Sequence, residues 1–295
     1  MQAYDSGKTD VDKLICRYID ALGMLKFGMF REVSNTLDRI PNLAKRLLAL
    51  RGYLRKEEKG PGTVHRRWAF TKEQYDEFKT SAAGVVLNSE LQKVKNRFRE
   101  ITDKKYKLGH GKKFRSLDRQ VKYWNTRSNV QNIADQILQK VRKRVTAKSA
   151  QSGLSDGPSY PQIEEYADRF QLTFKVAMRP SAIARNPNAA GIAEKDAVFN
   201  QLQKALDDFA EYLRKTTFSG ELKTATPGIS DHGRSQAIDF GVRDSSGTKI
   251  CGASSASTWR STGMASHLAS AMKASKHFEG PLKSPDEPWH WEFHA

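Results

Sequence analysis

A chain of 295 residues with 38% apolar and 28% charged residues has a globular composition and room for two domains. No apolar run reaches the about 20 residues needed to cross a bilayer as a helix. Its two cysteines, Cys16 and Cys251, supply neither a disulfide framework nor a thiolate metal site. The net charge of +17 is unevenly spread: residues 1–150 carry 34 Lys and Arg against 16 Asp and Glu, while residues 151–295 carry 16 against 17. That division predicts two modules with different tasks.

The first module reads as all helical. Val11, Leu14, Ile15, Tyr18, Ile19 and Leu22 recur at the spacing of one helix face, with Thr9 placed to cap the helix and Gly23 to stop it. A second helix is expected from about Phe30 to Leu54, interrupted at Pro41, before a break at Gly60-Pro61-Gly62. Thr71 with Gln74 has the pattern of a capping box, and a further helix is expected from about Asn88 to Ile101. Lys104 to Arg115 reads as a basic loop holding Gly109 and Gly111. Ser128 is placed to cap a last helix with Val130, Ile133, Ala134, Ile137, Leu138 and Val141 on one face. This helix ends in Arg142-Lys143-Arg144, cations suited to a helix C-terminus. Ala147 to Tyr160 is rich in Ser and Gly and reads as linker. The expected organisation is a basic helical module over 1–150, a linker over 151–160 and a second domain over 161–295.

Within that second domain Leu172 to Met178 alternates as a strand does, Phe199 to Leu213 is an amphipathic helix, and Thr258 to Ser275 is a helix with His267 in its middle. The chemistry sits in two short stretches. The first is Ser230-Asp231-His232-Gly233-Arg234-Ser235-Gln236-Ala237-Ile238-Asp239, and the second is Glu287-Pro288-Trp289-His290-Trp291-Glu292-Phe293. Gln236 to Val242 alternates as a strand, which puts Asp239 on the face opposite Ile238 and Phe240. In Trp289 to Phe293 the three aromatic residues share one face, leaving His290 and Glu292 on the other. Two imidazoles, one carboxylate and a second carboxylate nearby match a catalytic zinc, which takes three protein ligands and keeps one position for water. His232, Asp239 and His290 are the expected ligands, and Glu287 the base that handles the water's proton. His65, His110, His267 and His277 have no partner at ligand spacing, and His294 stands at most in support of the ligands.

Ser-x-His with Asp seven residues after the His, followed by Glu-x-x-His-Trp, resembles the zinc D-Ala-D-Ala carboxypeptidase and dipeptidase family, which includes VanY- and VanX-type enzymes and related phage endolysin peptidases. Ala225-Thr226-Pro227-Gly228, ahead of the first motif, is similar to the family's loop into its first ligand. The resemblance covers about Tyr160 to Ala295. It implies an α+β fold with a central antiparallel sheet flanked by helices, a Zn2+ cofactor, and hydrolysis of an amide bond in peptidoglycan stem peptides. It also implies an Arg after a strand to steady the oxyanion, a place matched by Arg179. Arg234, two residues after a ligand, is a rival for that role, and Ser230, Arg234 and Trp289 are the expected substrate contacts. The family has Gly where this chain has Ser235.

Met1 to Asp10 is polar and lacks a secretory apolar stretch. The expectation is synthesis in the cytoplasm and action at the cell wall after holin-type release, virion delivery or secretion. Lys104, Lys105, Lys107, Lys112, Lys113, Arg115, Arg142, Lys143 and Arg144 are candidates for holding an anionic wall polymer; no nucleic-acid-binding module is recognisable. The competing readings are a wall-binding or virion structural protein on a degenerate zinc-peptidase fold, and a polyanion- or nucleic-acid-binding protein acting through the first half.

Overall fold

The computed structural model describes residues 9–27, 30–111, 114–151 and 197–295. Helix and strand are mixed, and the strands form a curled antiparallel sheet. The contacts divide the chain into two units that are both discontinuous in sequence. One comprises residues 1–63 with 127–220, the other residues 64–126 with 221–295. The boundary expected near residue 150 is therefore not where the packing changes. The second unit takes residues 64–126 from the basic half of the chain.

The first unit is helical in its described residues: α1 (Asp10–Leu25), α2 (Glu32–Asp38), α3 (Leu43–Glu57), α8 (Ser128–Gln151) and α9 (Ala197–Lys215). Thr9 caps α1 by accepting from the Asp12 N–H, as expected, but the helix runs past Gly23 to Leu25. Arg39 to Asn42, around Pro41, separates α2 from α3, because proline lacks the N–H that a continuing helix needs. α3 is buried almost all round, with Leu47, Leu48, Leu50 and Tyr53 packed out of water among its neighbours α1, α8 and α9. The expected face of α8 is buried from Val130 to Val141. Ser128 is the first residue of α8, and the helix runs on to Gln151 through the start of the expected linker. α9, assigned from sequence to the second domain, belongs here instead: Leu206, Phe209 and Leu213 are buried, and Phe209 stacks on Tyr18 with ring centroids 4.4 Å apart. Arg142, a candidate for polymer binding, is engaged by the buried Asp12 through two hydrogen bonds of 2.8 and 2.7 Å.

The second unit combines a sheet with helices. After the short α4 (Thr63–Arg66), its early elements are α5 (Lys72–Thr80), α6 (Ala82–Ile101), β1 (Tyr106–His110) and α7 (Leu117–Thr126). Thr71 and Gln74 make both bonds of the expected capping box. Its late elements are a 3-10 turn (Asp231–Arg234), β2 (Ala237–Asp244), β3 (Lys249–Cys251), α10 (Ala256–Ser261), α11 (Met264–Met272), β4 (Phe278–Glu279) and β5 (His290–Phe293). The expected single helix over 258–275 is two, parted at Gly263, whose φ of 73° breaks the helical path.

The sheet order is β1-β2-β5-β4, with β3 also on β2, and every pairing is antiparallel. The segment expected as a basic loop is thus an edge strand, and the first half is not all helical. Lys104, Lys105 and Lys107 face water while Leu108 is buried opposite Val242, so charge masked a period-two pattern. Leu87, Leu91, Val94 and Phe98 of α6 meet Ile238, Phe240, Trp259, Leu268, Trp289, Trp291 and Phe293 in one core. Burying such side chains contributes on the order of 1.5–3 kcal/mol each. Among the described residues, no helix is long and apolar enough to cross a membrane.

The strand Leu172–Met178 and Arg179 lie outside the described residues.

Candidate metal centre

The alternation that sends Ile238, Phe240, Trp289, Trp291 and Phe293 into the core sends Asp239 and His290 to the opposite face. The register pairs Asp239 directly with His290 across β2 and β5, which brings their side chains together. His232 arrives from the 3-10 turn just before β2. That turn is closed by Ser235 in the left-handed region, at φ 58° and ψ 24°. A glycine reaches this region without strain, so Ser235, where the resembling family has Gly, adopts the glycine-like backbone while carrying a side chain.

Three donors converge as a result. His232 Nε2 lies 3.2 Å from one Asp239 carboxylate oxygen, and His290 Nδ1 lies 3.0 Å from the other. The two imidazole rings stand nearly perpendicular with centroids 5.0 Å apart. One ligating atom from each of the three residues falls within 4.8 Å of the others, so the group can hold a metal ion. His232 and His290 are buried. His232 Nδ1 is buried without a hydrogen-bond partner.

Burial works to raise the Asp239 carboxyl, but hydrogen bonds from both imidazoles overcome it and hold the group well below the usual carboxylate range. Burial lowers His232, and the opposing pull of Asp239 does not restore it. For His290 the balance falls the other way: burial lowers it, but Asp239 and then Glu287 and Glu292 leave it raised. The site therefore presents one ionised carboxylate and one imidazole biased to the neutral form that metals require.

Glu287 is held beside this group. Its carbonyl accepts from the His290 N–H at 3.0 Å, and its carboxylate oxygen lies 3.8 Å from His290 Nδ1. Burial pushes its pKa up, His290 pulls it down, and Asp239 and Glu221 push it up further, leaving a net rise. A carboxyl raised toward neutrality suits proton transfer.

Two residues that sequence reasoning did not place here belong to the site. Arg115, read as part of a basic loop, brings its guanidinium 3.4 Å from Asp239 and donates its backbone N–H to the His232 carbonyl at 3.0 Å. Gln120 on α7, only 4% exposed, donates to the Arg115 carbonyl at 2.8 Å and accepts from the Gly228 N–H at 2.9 Å. One side chain thus ties the segment carrying Arg115 to the loop leading to His232. A Cβ on Gly233 would fall 2.7 Å from Gln120 Nε2 and 2.6 Å from Ala69 Cβ, so only glycine fits that turn. The residues lie far apart in sequence, and the isolated signal in the chain was an Arg and a Gln flanking a helix start.

The remaining expected site residues are dispersed. Ser230 is buried, and its carbonyl closes the turn by accepting from Gly233 at 2.7 Å. Trp289 is buried in the core rather than offered to a substrate. Arg234 lies over the Phe70 ring at 5.1 Å. Burial lowers its pKa, neighbouring Arg67 lowers it further, and Asp231 opposes. His294 pairs with Glu279 at 3.4 Å and takes no part in the ligand group.

Compared with known proteins, the chain matches no family model, no curated protein and no solved structure.

Proposed function

We propose that the protein is a zinc-dependent peptidoglycan peptidase that hydrolyses an amide bond in a stem peptide. The observation that carries this reading is the convergence of His232, Asp239 and His290 on one face of the sheet with Glu287 beside them. Two imidazole nitrogens and one carboxylate are the donor set of a catalytic rather than a structural zinc. The His232 nitrogen that faces the carboxylate is Nε2, and burial biases that ring to the neutral form that a metal requires.

His232, Asp239 and His290 would hold the zinc, which would supply a Lewis acid and acidify a water to a pKa of about 7. The chain's own groups account for the rest. Glu287 takes the proton of the attacking water and returns it to the departing amine. Arg115 faces the ligand carboxylate and offsets negative charge developing on the carbonyl oxygen, the role that the family resemblance gave to Arg179. Ionised Asp239 would contribute the negative charge of the donor set. The excess of Lys and Arg in the first half supports attraction to an anionic wall polymer as an accessory property.

The test is metal analysis of the purified protein together with mass spectrometry of fragments from a defined peptidoglycan digest. We expect close to one zinc per chain and cleavage within the stem peptide. Glu287→Ala should retain zinc and lose about 100- to 10,000-fold in turnover; near-normal turnover by this variant removes the mechanism.

A further inference from the structure

Outside the ligand group, the second unit holds an open groove of about 600 Å³ between α5, the start of α6 and the end of β1. This lies within the roughly 300–1,000 Å³ of clefts that enclose ligands of several linked groups. Its wall carries Tyr75 and Phe114, stacked with centroids 4.3 Å apart at 12° and both half-buried. Lys72 and Lys79 stand exposed at the rim. Both ammonium groups pair with the one carboxylate of Asp76, which leaves the rim with surplus positive charge.

The groove and the ligand group share a stretch of chain. Gly111 lines the groove and donates its N–H to the Asp239 carbonyl at 2.8 Å. Phe114 lines it as well, and the next residue, Arg115, reaches the Asp239 carboxylate. Aromatic rings half open to solvent offer apolar contact with a polar rim, and two lysines favour acidic groups. A stem peptide combines small apolar side chains with free carboxylates.

We infer that this groove is the subsite that grips the stem peptide beyond the reacting bond, so that the enzyme recognises an extended acidic peptide rather than a terminal dipeptide. This rests on the peptidase reading above and adds to it. The groove's polar rim sets preference, and its aromatic wall supplies contact made equally in ground and transition states.

The experiment compares the full-length zinc-loaded protein with Tyr75→Ala, at a half-buried position of α5, and Lys79→Glu, at an exposed one. The substrates are the soluble stem peptide L-Ala-D-Glu-diaminopimelate-D-Ala-D-Ala and the dipeptide D-Ala-D-Ala. Each variant should raise KM for the long peptide about tenfold with kcat unchanged, as loss of uniform binding does, and leave kinetics on the dipeptide unaltered. Equal kinetics of variants and parent on the long peptide overturn the groove and leave the peptidase standing. Binding of the long peptide to zinc-stripped protein, followed by calorimetry, separates the two claims. If the parent turns over no peptide but still binds it, and Tyr75→Ala weakens that binding about tenfold, the groove stands without the peptidase; absence of binding by the parent overturns the groove.

Discussion

In the helical unit the buried carboxylate of Asp12 meets the Arg142 guanidinium through two hydrogen bonds and is satisfied. In the sheet unit the Asp239 carboxylate is shared among two imidazoles and a guanidinium, and His232 beside it keeps a buried nitrogen without a partner. Both arrangements bury charge. The first joins α1 to α8 and asks for nothing more. The second concentrates polar groups on one sheet face, in an arrangement that could hold a metal ion. A satisfied pair reads as architecture, and a carboxylate on which two buried imidazoles converge reads as a candidate site.

The largest expected effect tests the sheet side of that contrast. His232→Ala should abolish zinc retention on dialysis and reduce turnover about a thousandfold, while far-ultraviolet circular dichroism stays close to that of the parent. If zinc stays at parental stoichiometry, the ligand assignment is wrong. On the helical side, Asp12→Ala should lower unfolding free energy by about 1–2 kcal/mol, discounted because Arg142 is partly exposed and can be solvated. Turnover per folded molecule should not change. A loss of turnover without loss of stability would show that Asp12 serves more than the helix pair.

Acidity should pull the two metal states apart. The folded value of His290 lies above the ordinary 6.5. Its imidazolium on Asp239 therefore stabilises the zinc-free fold fully below about pH 6.5, and this contribution fades as the pH rises through the raised value. Zinc needs the neutral ring. The rise in Tm produced by zinc should be small near pH 5.5 and largest above about pH 7.5, as thermal unfolding with and without a chelator would read. A zinc effect that is flat across this range would exclude His290 as a ligand.

The smallest effect concerns the turn that delivers His232. Ser235 holds φ at 58° with its hydroxyl buried and unpartnered. Ser235→Gly removes the left-handed strain and should stabilise the protein by about 1 kcal/mol, seen as a modest rise in Tm with zinc binding unchanged. A fall in Tm would mean that the hydroxyl contributes more than the backbone costs.

How far the sequence disclosed these features depended on whether each signal was local. The alternation of Ile238, Phe240, Trp289 and Trp291 announced which face Asp239 and His290 would occupy, because a strand's period needs only a few neighbours to be read. Thr9 and the Thr71–Gln74 pair announced their caps for the same reason. β1 was hidden because Lys104 and Lys105 precede it and Lys107 lies within it, and only its pairing with β2 makes Leu108 a core residue. Arg115 and Gln120 were hidden because their partners lie more than a hundred positions away. α9 was placed in the wrong unit because amphipathicity says that a face is covered and not what covers it. Trp289 looked available beside a ligand, but it lies on the face that the same alternation buries.

The interleaving of the two units bears on how the polypeptide matures. Arg115 and Asp239 are separated by 124 positions, so β1 and the apolar side of α6 leave the ribosome long before β2 exists to cover them. Contacts this remote close late and slowly, and an uncovered strand edge invites pairing with a stranger. During synthesis the first half must therefore wait with its sheet-forming surface exposed, and the many lysines along β1 and its approaches give that waiting segment a charge that discourages self-association.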